Sequence, residues 1–356
     1  MTSQIIGTGR LHHLDGLRGL AALVVVFHHF IVAFDFALYN GNPLNSRNGW
    51  DLWLASSPFD VALPGNLSVC LFFALSGYVL AGSFSRTPLG IAALITRRYV
   101  RLGLPIFVVT MVAWALYATG AIQNHTAALL THSDWLKGQM LGSTTVWRAL
   151  SEGAYGSLLN GTTLFDSSLW TMSLEFAGSV FLIFIFIGSR IFGRAETRRQ
   201  CQCIVLLLFA AATYNTYLCL FGIGAFMSVF DLRRRTETWC MNLWVVTPLI
   251  AVGLMLGTIS YSLARPNFVT GALLMTPISR FTLPLPGSFG GAEAFWHAAG
   301  AVLLLVAIDG NPHLRRIFSG SVFQFLGRIS FPLYLVHVPV LLSFGCGFYL
   351  LLLRLE

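Results

Sequence analysis

Arg18 and His29 lie eleven residues apart in the stretch LDGLRGLAALVVVFHHFIVAF. A helix turns once in about 3.6 residues, so this spacing is roughly three turns and sends both side chains from one face. An imidazole there has the chemistry of a general base, and an arginine on the same face that of an anion holder. His28 is rotated by about 100° from His29 and is expected to pack against a neighbour or a backbone carbonyl. Glu175, in SSLWTMSLEFAGSVF, adds a carboxylate. Beside an imidazole it would fix the tautomer and favour the imidazolium. The plainer reading of Glu175 is an acid that joins two helices by hydrogen bonds.

A second polar group is expected closer to the cytoplasm. Ser76 in LFFALSGYVLAG and His337 in RISFPLYLVHVPVLL belong to it, and ITRRYVRLGLP just below carries Arg97, Arg98 and Arg101. Arginine suits multidentate contact with phosphate, so this cluster is predicted to hold a phosphorylated cytosolic ligand. Contact with anionic lipid headgroups is the alternative for each of the three. The six cysteines (Cys70, Cys201, Cys203, Cys219, Cys240 and Cys346) have no paired spacing of the kind a zinc site or disulfide framework shows, so they are read as core residues and no metal site is expected.

The elements that must position these groups are membrane helices. The chain has 356 residues, 56% hydrophobic and only 10% charged, with a mean hydropathy of +0.72, which excludes a soluble single core of that length. Apolar runs at Leu14–Phe36, Leu63–Phe84, Leu102–Ile122, Ser168–Phe192, Cys201–Tyr214, Thr216–Phe230, Leu243–Leu263, Glu293–Ile308 and Phe331–Leu353 predict an all-α polytopic bundle. The expected count is about nine to ten spans around a central polar cavity, as one transmembrane domain over residues 1–356 with no separate soluble domain. With the N-terminus in the cytoplasm, sixteen basic residues fall on the inner side and six on the outer. The positive-inside rule therefore orients the chain, with the last residues outside. The net charge of +8 is mostly this topology signal, and no nucleic-acid partner is expected. The N-terminal run is read as a retained span and not a signal peptide, because no small-residue cleavage site follows it. The triplets starting at Asn124 and Asn160 match the glycosylation pattern, which also arises often by chance.

Depth follows from a rise of about 1.5 Å per residue across a core about 30 Å thick. His29 is expected roughly 22 Å and Glu175 roughly 20 Å from the cytoplasmic edge, hence level with each other. A last span beginning at Phe331 puts His337 only about 9 Å in, near Ser76 and Arg18.

Together these stretches resemble the acyltransferase 3 family of multi-pass membrane O-acyltransferases. LDGLRGLAALVVVFHH is similar to its first-helix signature of an arginine, ten residues and a histidine, which falls on Arg18 and His29. LSVCLFFALSGYVLAG, RRYVRLGLP, SLWTMSLEF and LGRISFPLYLVHVPVL resemble four further family segments in the family's order. The chain departs from the pattern with Cys70 where many members carry aspartate, and with Thr171 in place of the usual serine after Trp170. It also stops at Glu356, soon after the segment containing His337.

The resemblance implies O-acylation, usually acetylation, of carbohydrates and other hydroxyl compounds from cytoplasmic acyl-CoA, in the cell (inner) membrane and without a permanently bound cofactor. It marks Arg18 and His29 as essential. On this reading His29 is the base, Glu175 supports it, and Arg97, Arg98, Arg101, Ser76 and His337 line the acyl-CoA path, with Trp170 and Ser173 on the acceptor side. A transient acyl group on His337 is a possible relay. The acceptor is expected to be a carbohydrate, or else a small secondary metabolite such as a macrolide. A proton-coupled transporter or exporter would also bury Arg, His and Glu, but it predicts inverted repeats, and the two halves of the chain show none.

Overall fold

A computed structural model describes residues 11–46, 49–55, 65–142, 144–259 and 292–355, and every regular element among them is helical. The helices that build the site are α1 (His12–Phe34), α2 (Gly65–Phe84), α3 (Ile91–Ala118), α4 (Trp170–Gly188), α5 (Leu218–Val229), α6 (Ala292–Gly310) and α7 (Ser321–Val340). Among the described residues five segments are long and apolar enough to cross a membrane, or up to seven if each of two bent helix pairs is one span. The expected runs at Cys201–Tyr214 and Thr216–Phe230 become two short helices, Ala195–Ala212 and α5. The first of these opens with the polar sequence AETRRQ, and the second has only twelve residues. The run from Leu243 is bent by 114° against Leu232–Cys240, and α6 by 98° against Pro312–Phe318. The end of the expected Leu243–Leu263 span, and Arg10, Arg47, Arg265 and Arg280 of the charge tally, lie outside the described residues.

Glycines decide which helices touch most closely. In α1 a Cβ on Gly19 would sit 2.4 Å from the backbone nitrogen of Gly327, and one on Gly327 would sit 2.5 Å from the carbonyl of Asp15. The glycines flanking Arg18 therefore let α7 lie directly against α1. A second seam joins α2 to α5, where a Cβ on Gly224 would sit 1.9 Å from the carbonyl of Ala74. Helix α7 contains Pro332 and Pro339 and passes through a π-turn at Leu341–Gly345 into the helix Cys346–Leu355. A proline withholds the N–H that the carbonyl four residues earlier would accept, which loosens the helix locally. The segment Ser321–Leu355 is one candidate span of 35 residues.

Between α3 and α4 the chain forms a lobe of short helices, Asn124–Thr131, Asp134–Lys137 and Val146–Ser151, followed by a π-helical turn at Glu152–Asn160. Asn124 is buried, and its amide donates to the carbonyls of Leu136 and Gln139, so it is a structural hinge pin of the lobe and not an open glycosylation site. Glu152 is buried as well and accepts from the N–H of Phe165 at 3.1 Å. Burial raises its carboxyl above the ordinary range, against the pull of the Phe165 and Leu164 N–H groups. Ser133 of the lobe donates to the carbonyl of Val32 at 2.6 Å and ties the lobe to the end of α1 beside His29.

Candidate active site

Two polar levels lie along α1 and α7. At the first, a cavity of about 360 Å³ collects Arg18 from α1, Ser76 from α2, Arg98 and Arg101 from α3, Glu175 from α4 and Arg328 from α7. Four guanidinium groups against Glu175 and Asp15 leave the lining net positive, which suits an anion. Arg98 is fixed on two sides: its Nη2 donates to Glu175, and its Nε to Ser179 at 2.8 Å. The side chains of Arg98 and Glu175 are only 10% and 15% exposed, so each charge depends on the other. A smaller pocket of about 100 Å³ adjoins this cavity through Leu80, Arg98 and Arg101 and brings in Arg97, Ser83 and Thr87.

At the second level His29 meets His337. Their rings are 4.9 Å apart, with His29 Nδ1 and His337 Nε2 separated by 3.1 Å. Carbonyl oxygens only accept, and this assigns both tautomers. His337 Nδ1 lies 2.6 Å from the carbonyl of Tyr334 and so carries a hydrogen, which leaves its Nε2 as an acceptor. His29 Nδ1 lies 3.0 Å from the carbonyl of Val25, carries the hydrogen, and shares it with His337. The free lone pair of this dyad is therefore on His29 Nε2. Trp135 of the lobe packs on the His29 ring at 5.1 Å, and His28 turns aside to Tyr39, as its helical phase requires.

Neither histidine lines the cavity. Between the two levels stand Thr171, at the start of α4, and Tyr334, one turn before His337, and both line the cavity. Their hydroxyls are 3.0 Å apart, and both reach the carbonyl of Ser168, at 3.1 Å for Thr171 and 3.2 Å for Tyr334. Asp166 holds this corner: its Oδ1 accepts from the N–H and the hydroxyl of Ser168, at 2.8 and 2.7 Å. Its Oδ2 is buried with no hydrogen-bond partner, and burial pushes the carboxyl up to about 7.

Two expectations are corrected. Glu175 does not support His29; it answers Arg98 instead, because matched depth in the membrane fixes height but not which way a helix face points. His337 does not sit with Ser76 and Arg18. The helix begins at Ser321, ten residues before the expected start, which lifts His337 by about 15 Å to the level of His29. Trp170 stacks on Tyr217 with ring centres 5.1 Å apart, and Ser173 donates to the carbonyl of Trp170, so neither lines the cavity. Sequence reasoning missed Arg328, counted only as a loop arginine, and Tyr334. The signal available was the spacing of three between Tyr334 and His337, which puts both on one face. Cys70 is fully buried.

Comparison with known proteins follows the same line. The family model described as an acyltransferase domain matches residues 11–353. The chain is 26% identical to the O-acetyltransferase PaAT-1 of Phomopsis amygdali, over 93% of this chain and 72% of that protein. It is 24% identical to the acyltransferase clz18 of Cochliobolus lunatus, over 94% of this chain and 83% of that protein. To the acyltransferase MdmB of Streptomyces mycarofaciens it is 25% identical, over 93% and 79%. No solved structure matches the chain.

Proposed function

The chain belongs to the acyltransferase 3 family, and from that premise we propose that it moves an acyl group, acetyl first of all, from cytoplasmic acyl-CoA to a hydroxyl of a carbohydrate or glycoconjugate. The chain crosses the membrane about nine to ten times in this reading, with its N-terminus in the cytoplasm. Acyl-CoA enters from the inner side, its phosphates against Arg97, Arg98 and Arg101 and its pantetheine arm past Arg18, Arg328 and Ser76. Glu175 holds Arg98 in place, so its part is to keep the anion site formed. The acceptor comes from the opposite side to His29.

The observation that carries this reading is the bare Nε2 of His29, left over when its Nδ1–H is fixed by the Val25 carbonyl and His337. The acceptor hydroxyl gives its proton to that nitrogen as its oxygen attacks the thioester carbon. The imidazolium so formed keeps Nδ1–H on two acceptors, and His337 takes the orienting place first expected of Glu175. Collapse of the tetrahedral intermediate breaks the carbon–sulfur bond, and the leaving thiolate takes the proton back from His29. Purified protein in lipid nanodiscs, given labelled acetyl-CoA and a panel of glycan acceptors, tests this directly. His29→Ala, correctly inserted, is expected to transfer at least about a hundredfold more slowly. Transfer by His29→Ala at the normal rate contradicts the assignment.

A further inference from the structure

The cavity and the histidine pair are separated by two hydroxyls, and their hydrogen bonding is over-subscribed. Thr171 and Tyr334 own two hydroxyl protons, yet three contacts join them to each other and to the Ser168 carbonyl, at 3.0, 3.1 and 3.2 Å. Two protons cannot fill three contacts. Either hydroxyl alone satisfies the buried Ser168 carbonyl, so the other can turn to a new acceptor by giving up one of these contacts. The pair is also held rigidly. Asp166 fixes Ser168 from below, the Tyr334 ring packs edge-on against Phe72 at 5.5 Å, and the backbone carbonyl of Tyr334 is already engaged by His337. A fixed donor on the cavity wall needs little reorganisation when charge develops in front of it.

We propose that Tyr334 is a catalytic residue whose phenolic hydroxyl, steadied by Thr171, donates to the thioester carbonyl oxygen as it becomes an oxyanion. The proposal rests on the acyl-transfer reading above and names the group that reading lacks. The carbonyl π pair moves onto oxygen as the acceptor oxygen bonds to carbon, and the Tyr334 hydrogen bond shortens onto that charge without proton transfer. When the carbonyl re-forms and the carbon–sulfur bond breaks, the hydroxyl relaxes back to Thr171 and Ser168. The placement is consistent with this sequence of events. Tyr334 lies one turn from His337 on α7, so the arm that fills the cavity brings its thioester to the hydroxyl before it reaches the base.

Tyr334→Phe keeps the ring and removes only the hydroxyl. It is expected to lower kcat by about 10²–10³, while the KM for acetyl-CoA stays at the wild-type value. Binding of a ketone analogue of acetyl-CoA, in which a methylene replaces the sulfur, is expected to be unchanged, because no oxyanion forms on it. A merely structural hydroxyl would move binding and rate together. Thr171→Val is expected to give a smaller fall in kcat, restored by Thr171→Ser, and it carries the test if Tyr334→Phe does not accumulate. Full-rate transfer by Tyr334→Phe, or by Thr171→Val where that variant stands in, overturns the proposal, as does loss of analogue binding in step with rate. Full-rate Tyr334→Phe beside an inactive His29→Ala leaves the acyl-transfer reading standing. Absence of acetyl-CoA turnover by wild-type protein defeats both together.

Discussion

The arginine cavity and the histidine dyad lie in one helix bundle and solve the same problem in opposite ways. Both put polar side chains inside an apolar helix bundle. The cavity does it with charge, and the Arg98–Glu175 pair shows the cost: each partner is stranded without the other. The dyad does it with neutral rings whose N–H groups are assigned to the backbone carbonyls of Val25 and Tyr334. A charged level suits holding an anionic donor, and a neutral level suits taking and returning a proton. In the proposed reading, binding and chemistry are separated along α1 by the ten residues between Arg18 and His29.

Four changes test that contrast. The largest effect is expected from Glu175→Ala, which leaves Arg98 buried and unpaired. Loss of about 3–5 kcal/mol is expected, read as a lower thermal midpoint in detergent, with partial recovery in the double variant Arg98→Met, Glu175→Leu. His337→Ala comes next. It removes one of two acceptors of the His29 N–H and leaves the Val25 carbonyl, so a fall in kcat of about a hundredfold with little change in donor KM is expected in the transfer assay. Arg328→Ala acts on the other level. Deleting one charge-assisted contact to phosphate, worth about 1.5–3 kcal/mol, should raise the KM for acetyl-CoA about ten- to a hundredfold and leave kcat nearly intact.

The fourth change concerns pH. The Asp166 carboxyl, moved by burial from its ordinary 3.8 to about 7, keeps in the folded protein a proton that the unfolded chain has already released. Stability is therefore highest below the lower value and falls as pH rises through the window between them. Thermal midpoints measured across that window should drop for the wild type and stay flatter for Asp166→Asn.

Much of this was legible beforehand, and the failures have physical causes. Helical phase alone puts Arg18 and His29 on one face, although only Arg18 lines the cavity, and of the arginines at the start of α3, Arg97 lines the smaller pocket and Arg98 and Arg101 line both. The partner of Glu175 was not readable, since depth along a span carries no information about azimuth. His337 is misplaced by a span that begins at Phe331 and leaves Arg328 in a loop, whereas α7 begins at Ser321, Gln324 is tied to His12 and Arg328 lines the cavity. The glycines beside Arg18 carry no chemistry to read, yet Gly19 is where α7 lies directly against α1. Close approach between distant segments leaves no periodicity to detect.

The division of labour between the two levels can be tested in one preparation by measuring acetyl-CoA binding and acetyl transfer side by side for His29→Gln. The expected result is donor affinity equal to the wild type, with transfer all but lost. Joint loss of affinity and transfer, or transfer at the wild-type rate, would contradict a base that stands apart from the donor site.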